Sequence, residues 1–360
     1  MPSLSLRGGP VQAMVRPIGL RAVVALFAPA LATASIGMPE DNSRAIWRDN
    51  PAAFGTTWDA PLLMSGRKAT LQEHSDTQLY NFHGEWTWID YLYPSEWERN
   101  FRGSPICAFC RRWWWVSYFA SSLYLVFLNV GASAMKDRKP LDLKALLAVW
   151  NLFLAAFSFI GAMRTAPHLL LLLREHGFEY SVCRAAILSY GHGASGLWVT
   201  LFIFSKYFEL IDTVFLVVRK RKVGFLHWYH HSSVLLYCWH AYVWEMPSGI
   251  YFIVMNYTVH AVMYLYYFLA AVCKTPPKWA LMVTILQLGQ MAVGIFITCT
   301  HLHKLLYGKE RHCDGHVPNL TAALGMYASY FVLFAQFLLN RYCFKRNGKH
   351  ESKTGAQKMD

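Results

Sequence analysis

Seven stretches of about 20 apolar residues follow one another along the chain, each as long as a helix that crosses bilayer hydrocarbon. They run approximately over 113–135, 145–163, 196–218, 227–245, 249–272, 279–300 and 320–340. Segments in lipid must satisfy their backbone hydrogen bonds internally, and a single segment does so only as a helix. The predicted fold class is therefore all-α: a polytopic membrane protein with seven transmembrane helices. At 55% hydrophobic and 15% charged over 360 residues, the chain is too apolar for a soluble domain and too weakly charged for a disordered one.

The net charge of +13 could point to nucleic acid. However, the basic residues sit in short connections: "MKDRKPLDLK", "RKRK", "KTPPK" and the tail "RYCFKRNGK" fall on alternate sides of the count, whereas "WEMPSG" has no Lys or Arg. That is the positive-inside pattern, so no nucleic-acid partner is expected. It puts the N-terminus in the lumen and the C-terminus in the cytosol. Arg174, Arg184, Lys304 and Lys309, after spans two and six, fit less cleanly. Of eight cysteines, only Cys107 and Cys110 form a close pair, with no second pair to complete a metal site.

Outside the spans, residues 1–75 form an N-terminal extension. There "RPIGLRAVVALFAPALATASIG" has the layout of a leader, and a disordered extension explains it equally well. Residues 76–112 read as a lumenal amphipathic segment, 113–342 as the seven-helix domain and 343–360 as a polar cytosolic tail.

Polar residues inside spans are costly and mark function or buried pairing. In "KYFELIDT", Lys206, Glu209, Asp212 and Thr213 share about a third of the helix surface. The plain alternative is a structural Lys206–Glu209 ion pair at i,i+3. In "FLHWYHHSS", His227, His230 and His231 fall within an arc of about 100° and should face protein rather than lipid. In "NYTVHAVMYLYY", Asn256, His260, Met263, Tyr264 and Tyr267 share a stripe, although tyrosines often form only an interfacial belt. "TILQLGQ" sets Thr284, Gln287 and Gln290 on one side, where amides can serve as interhelical glue. Together the stripes predict a lined polar chamber.

These four segments resemble, in order and spacing, the signature boxes KxxExxDT, HxxHH, HxxMYxYY and TxxQxxQ of the ELO family of fatty acid elongases. The similarity covers about residues 110–345. It implies a membrane 3-ketoacyl-CoA synthase of the endoplasmic reticulum with six of seven helices enclosing an acyl tunnel. It also implies a reaction: a long-chain acyl-CoA condenses with malonyl-CoA, releasing CO2, with no cofactor. The acyl acceptor it implies is His230, with His260 beside it and His227 and His231 in support. A neutral imidazole is a competent acceptor. By chemistry, Asn256 and Gln287 could donate to the enolate oxygen. Lys206, Glu209, Asp212, Tyr264, Tyr267 and Gln290 complete the expected substrate-binding set. Arg219, Lys220, Arg221 and Lys222 suit the CoA phosphates, and a positive-inside anchor explains the same run.

Cys183 and Cys313 fall in loops assigned to the lumen, and related elongases carry cysteines in comparable places, so a disulfide is expected. Lys222, five residues before His227, and "LHWYHH" resemble the branch acting on saturated and monounsaturated acyl-CoAs. The resemblance leaves room for a homodimer and for association with the reductases and dehydratase of the elongation cycle. A di-iron desaturase also carries HxxHH, but needs about eight imidazoles from several boxes. The other close pattern here, "HCDGH" at 312–316, falls on the lumenal side. A seven-helix receptor would leave the four boxes unexplained.

Overall fold

The computed structural model describes residues 94–308 and 313–344; the leader-like stretch and residues 76–93 of the amphipathic segment lie outside them. The described residues contain α-helices α1 (Glu96–Arg99), α2 (Ser104–Arg112), α3 (Trp115–Ala134), α4 (Lys144–Cys183), α5 (Ala186–Ser189), α6 (Gly193–Phe208), α7 (Ile211–Val218), α8 (Phe225–Val243), α9 (Gly249–Val272), α10 (Ala280–Tyr307) and α11 (Val317–Leu338). A short π-helical turn, Leu339–Phe344, follows. No strand occurs among the described residues.

Five helices (α3, α4, α9, α10 and α11) are each long and apolar enough to cross a bilayer. The predicted third and fourth spans depart from that standard for a physical reason. Their polar boxes lower the hydropathy, and the third breaks into α6 and α7 at Glu209 and Leu210. The second span is longer than its predicted 145–163. Its helix continues to Cys183 through Pro167, and Gly177 interrupts it at φ 80°. That positive φ suits glycine, which lacks the Cβ that would clash.

Packing closes the helices into a circuit. α4 lies along α9, α9 against α10, α10 against α11, α11 against α8, α8 against α6, and α6 against α4. α3 stands outside this ring, touching α7 and α8. Its outer surface presents Phe119, Leu123, Val126 and Val130, all exposed, as a lipid-facing helix should. The main core fills the ring at one end, where Tyr257, Ile250 and Tyr330 are wholly buried.

At that end Cys183 is disulfide-bonded to Cys313. The Cys183 carbonyl accepts from the Asp314 N–H at 2.8 Å, and the Asp314 carboxylate accepts from the Ala185 N–H at 3.2 Å. The opposite, basic end carries the 135–144 and 219–224 connections, linked by Leu141 N–H donating to the Val218 carbonyl.

α1 is fastened by one carboxylate. Glu98 accepts from Arg164 Nε at 3.0 Å, Trp198 Nε1 at 2.8 Å and the Ser95 backbone N–H at 2.7 Å. Burial pushes its pKa up, but these donors outweigh burial and hold it at about 2. Its folded pKa thus lies below the ordinary 4.5, so its stabilisation is present above pH 4.5 and is lost as pH falls toward 2. Glu98→Gln should cost about 2 kcal/mol at neutral pH and flatten the acid limb of the melting curve in detergent. An unchanged acid limb would refute the assignment.

Asn319, in the glycosylation sequon "NLT", is wholly buried in the first turn of α11. Its Oδ1 accepts from Tyr237 Oη, and its Nδ2 lies 2.7 Å from His240 Nδ1. Intact-mass measurement after treatment with a peptide N-glycanase should therefore show no change at this asparagine.

Candidate active site

The boxes converge inside the ring on a cavity of about 440 Å³. Five of the six ring helices contribute to its wall, α4 through Asn151 and α11 through Phe334, and Glu209 joins it just past the end of α6. At its edge, four polar residues from α6, its C-terminal cap and α9 close on themselves. Lys206 Nζ donates to Glu209 Oε1 at 2.7 Å and to Asn256 Oδ1 at 3.0 Å. Asn256 Nδ2 lies 3.1 Å from His260 Nε2, and His260 Nδ1 lies 3.9 Å from Glu209 Oε1. The Lys206–Glu209 ion pair considered from the spacing thus exists, with both side chains at most 6% exposed. It is also joined to the third box.

A second chain runs through Asp212. One carboxylate oxygen accepts from Trp150 Nε1 at 2.6 Å, the other from Tyr264 Oη at 2.8 Å. The Tyr264 ring meets that of His260 edge-on at 5.4 Å, and the Tyr267 ring follows at 6.3 Å. Gln287 points its amide at the Met263 sulfur, and Gln290 is buried.

The histidine box divides by position on α8. His227 Nε2 lies 2.8 Å from Thr213 Oγ1, which in turn lies 3.0 Å from Tyr124 Oη on α3. The rings of His231 and His227 are 4.4 Å apart, and His231 also faces Tyr124. His230 differs: among the described residues its buried Nδ1 has no hydrogen-bond partner, and Tyr330 packs against its ring at 5.3 Å.

His230 also marks a change of surroundings. A second, narrower cavity of about 80 Å³ runs from it toward the disulfide end. Its lining is mainly apolar, with Val234, Cys238, Phe252 and Met326 among its walls. His230, Asn256, Gln290 and Met291 line both cavities. Cys238 belongs to this apolar branch.

At the other mouth, Arg219 and Arg221 line the large cavity. Lys220 and Lys222, expected beside them, do not. Lys220 adopts φ 52° and sends Nζ to the Lys136 carbonyl at 2.8 Å, because the tight turn after α7 rotates alternate side chains apart. Asp142 and Lys144 join the mouth instead. Reading the sequence alone misses these two, together with Trp150 and Tyr124. A Trp beside Asn151 within an apolar run was the available signal for Trp150.

His316 stacks on Trp244 at the disulfide end, well apart from the box, and His312 lies outside the described residues. No three His, Cys, Asp or Glu side chains gather as metal ligands among the described residues.

This architecture defines a multi-pass helical membrane protein with an enclosed, histidine-lined chamber. Residues 109–351 match the family described as ELO: GNS1/SUR4 family. Similar proteins include "Putative fatty acid elongase 3" of Caenorhabditis elegans, 39% identical over 78% of this chain and 87% of the relative. "Very long chain fatty acid elongase 6" of Drosophila melanogaster is 40% identical over 69% and 77%, and that of Gallus gallus 39% over 74% and 96%. The chain belongs to the ELO family.

Proposed function

We propose that this protein is a fatty acid elongase that condenses a long-chain acyl-CoA with malonyl-CoA to give 3-oxoacyl-CoA, CoA and CO2. The observation that carries this reading is the position of His230, the one box histidine lining both the polar chamber and the apolar branch. A thioester whose acyl tail fills the apolar branch and whose CoA occupies the chamber brings its carbonyl carbon to that imidazole. Arg219 and Arg221 at the mouth suit the CoA phosphates.

Attack by His230 forms a C–N bond and breaks the C–S bond; CoA leaves as the thiol, carrying the imidazole proton. Malonyl-CoA then loses CO2, and its enolate carbon attacks the acyl carbon. The C–N bond breaks, and the imidazole regains a proton from water. Asn256 and Gln287 are the candidate donors to the enolate oxygen. The pairs Thr213–His227 and Asn256–His260 hold neighbouring rings in fixed orientations.

The names of the relatives, all fatty acid elongases, support the reaction class. The setting that accompanies it is the endoplasmic reticulum membrane, with the basic end and C-terminus cytosolic and the disulfide end lumenal. Saturated and monounsaturated chains are the favoured substrates, and the reductases and dehydratase of the cycle are the expected partners. Purified protein given malonyl-CoA and acyl-CoA should release CO2 in step with product. No malonyl-dependent CO2 release from any acyl-CoA would overturn the reading.

A further inference from the structure

Tyr124 stands on α3, the helix outside the ring, yet its hydroxyl reaches the histidine box. It is 4% exposed and packs in one apolar cluster with Leu128, Val217 and Trp228. Among the described residues its one hydrogen-bond partner is Thr213 Oγ1, at 3.0 Å, and Thr213 is wholly buried. Thr213 Oγ1 in turn lies 2.8 Å from His227 Nε2. The direction of this chain follows from counting hydrogens. A buried hydroxyl hydrogen needs an acceptor. Tyr124 has only Thr213 to give it to, so Tyr124 Oη donates and Thr213 Oγ1 accepts. The Thr213 hydrogen then goes to His227 Nε2, the next acceptor in line. A neutral imidazole nitrogen that accepts carries no hydrogen, so the His227 proton sits on Nδ1. His260 reaches the same tautomer by another route. Lys206 donates to Asn256 Oδ1, which leaves the amide nitrogen to donate to His260 Nε2. There the lock starts from a box lysine. For His227 it starts outside every box, on α3.

We infer that Tyr124 is a positioning residue that holds His227 in its Nδ1–H tautomer, so that this imidazole donates a hydrogen bond to the acyl thioester carbonyl. This rests on the elongase reading above. His227 lines the large cavity and precedes His230 by three residues on α8. As the carbonyl carbon is attacked, negative charge grows on its oxygen, and a donor fixed in advance stabilises that charge without rearrangement. In the other tautomer Nδ1 presents a lone pair and repels the oxygen. Without the Tyr124 hydroxyl, Thr213 is free to donate to a backbone carbonyl of the preceding turn, as helical threonine does, and to accept from Nε2–H. The repelling tautomer then fills.

The test compares full-length wild type, Tyr124→Phe, Thr213→Val and the double variant in detergent, with malonyl-CoA and a ladder of saturated acyl-CoAs. Tyr124→Phe should lower kcat about tenfold, leave KM for the acyl-CoA within about twofold and keep the melting temperature. A tyrosine that only packs would move the melting temperature and leave kcat per folded molecule unchanged. Thr213→Val cuts the same chain, so the double variant should turn over no more slowly than Thr213→Val alone. Wild-type kcat in Tyr124→Phe, a loss accounted for by unfolding, or losses that multiply in the double variant would each overturn the inference and leave the reaction standing. Absence of malonyl-dependent product from the wild type with every acyl-CoA overturns the reaction itself, and the role of Tyr124 with it.

Discussion

His230→Ala should abolish CoA release when the protein is incubated with acyl-CoA alone. If the imidazole accepts the acyl group, the wild type releases one CoA per active site before malonyl-CoA is added. Intact-mass analysis should then show the acyl adduct. An acyl-imidazole is more reactive than a thioester, so it survives only where water is excluded. His230 meets that condition, being packed against Tyr330 where the apolar branch begins. His240, bonded to Asn319 at the disulfide end, stands apart from the chamber, and replacing it should leave the burst intact. Active wild type with neither burst nor adduct would mean direct attack on the bound thioester, with His230 acting as a base.

The second large effect concerns stability and chemistry together. Lys206→Met leaves the Glu209 carboxylate nearly inaccessible to solvent with no cation at Oε1, and should destabilise the protein by about 3–5 kcal/mol. Lys206→Met with Glu209→Gln removes both charges and should recover most of the melting temperature in detergent. Turnover in the double variant should remain at least about a hundredfold down, because Asn256 and His260 lose the partners that orient them. If the double variant regains both stability and turnover, the pair is only structural.

The polar rows were legible because helical spacing is rigid: residues three and four apart share a face whatever the tertiary structure. Lys206 with Glu209, Asn256 with His260, and His227 with His231 all meet as spacing requires. Contacts between elements distant in sequence were not legible. Nothing local to Trp150 indicates a carboxylate 62 residues away, nor does Tyr124 show that it faces Thr213. The reach of α4 was hidden because Pro167, His168 and Arg174 interrupt its apolar run, although the backbone continues helical past them. The basic quartet failed as a unit because one left-handed residue, Lys220, redirects its side chain. The apolar branch could not be read from spacing: it exists only where six helices and the 186–191 segment approach one another.

The bond between Cys183 and Cys313 has a mechanical consequence. It ties the last residue of α4 to the segment leading into α11, spanning 130 positions of sequence. Those two helices stand on different arcs of the circuit, each with other neighbours. The tie therefore acts as a drawstring on one rim, reinforced by the Asp314 contacts to Cys183 and Ala185. Among the described residues the opposite rim has the Lys136 and Leu141 links but no covalent one. Breathing of the helices must then be lopsided, like a tulip opening from its petals. On the proposed function, the tail of a bound chain would stay gripped while the headgroup side loosens to exchange its cargo, and a thiol reductant should relax the grip before it disturbs the imidazoles.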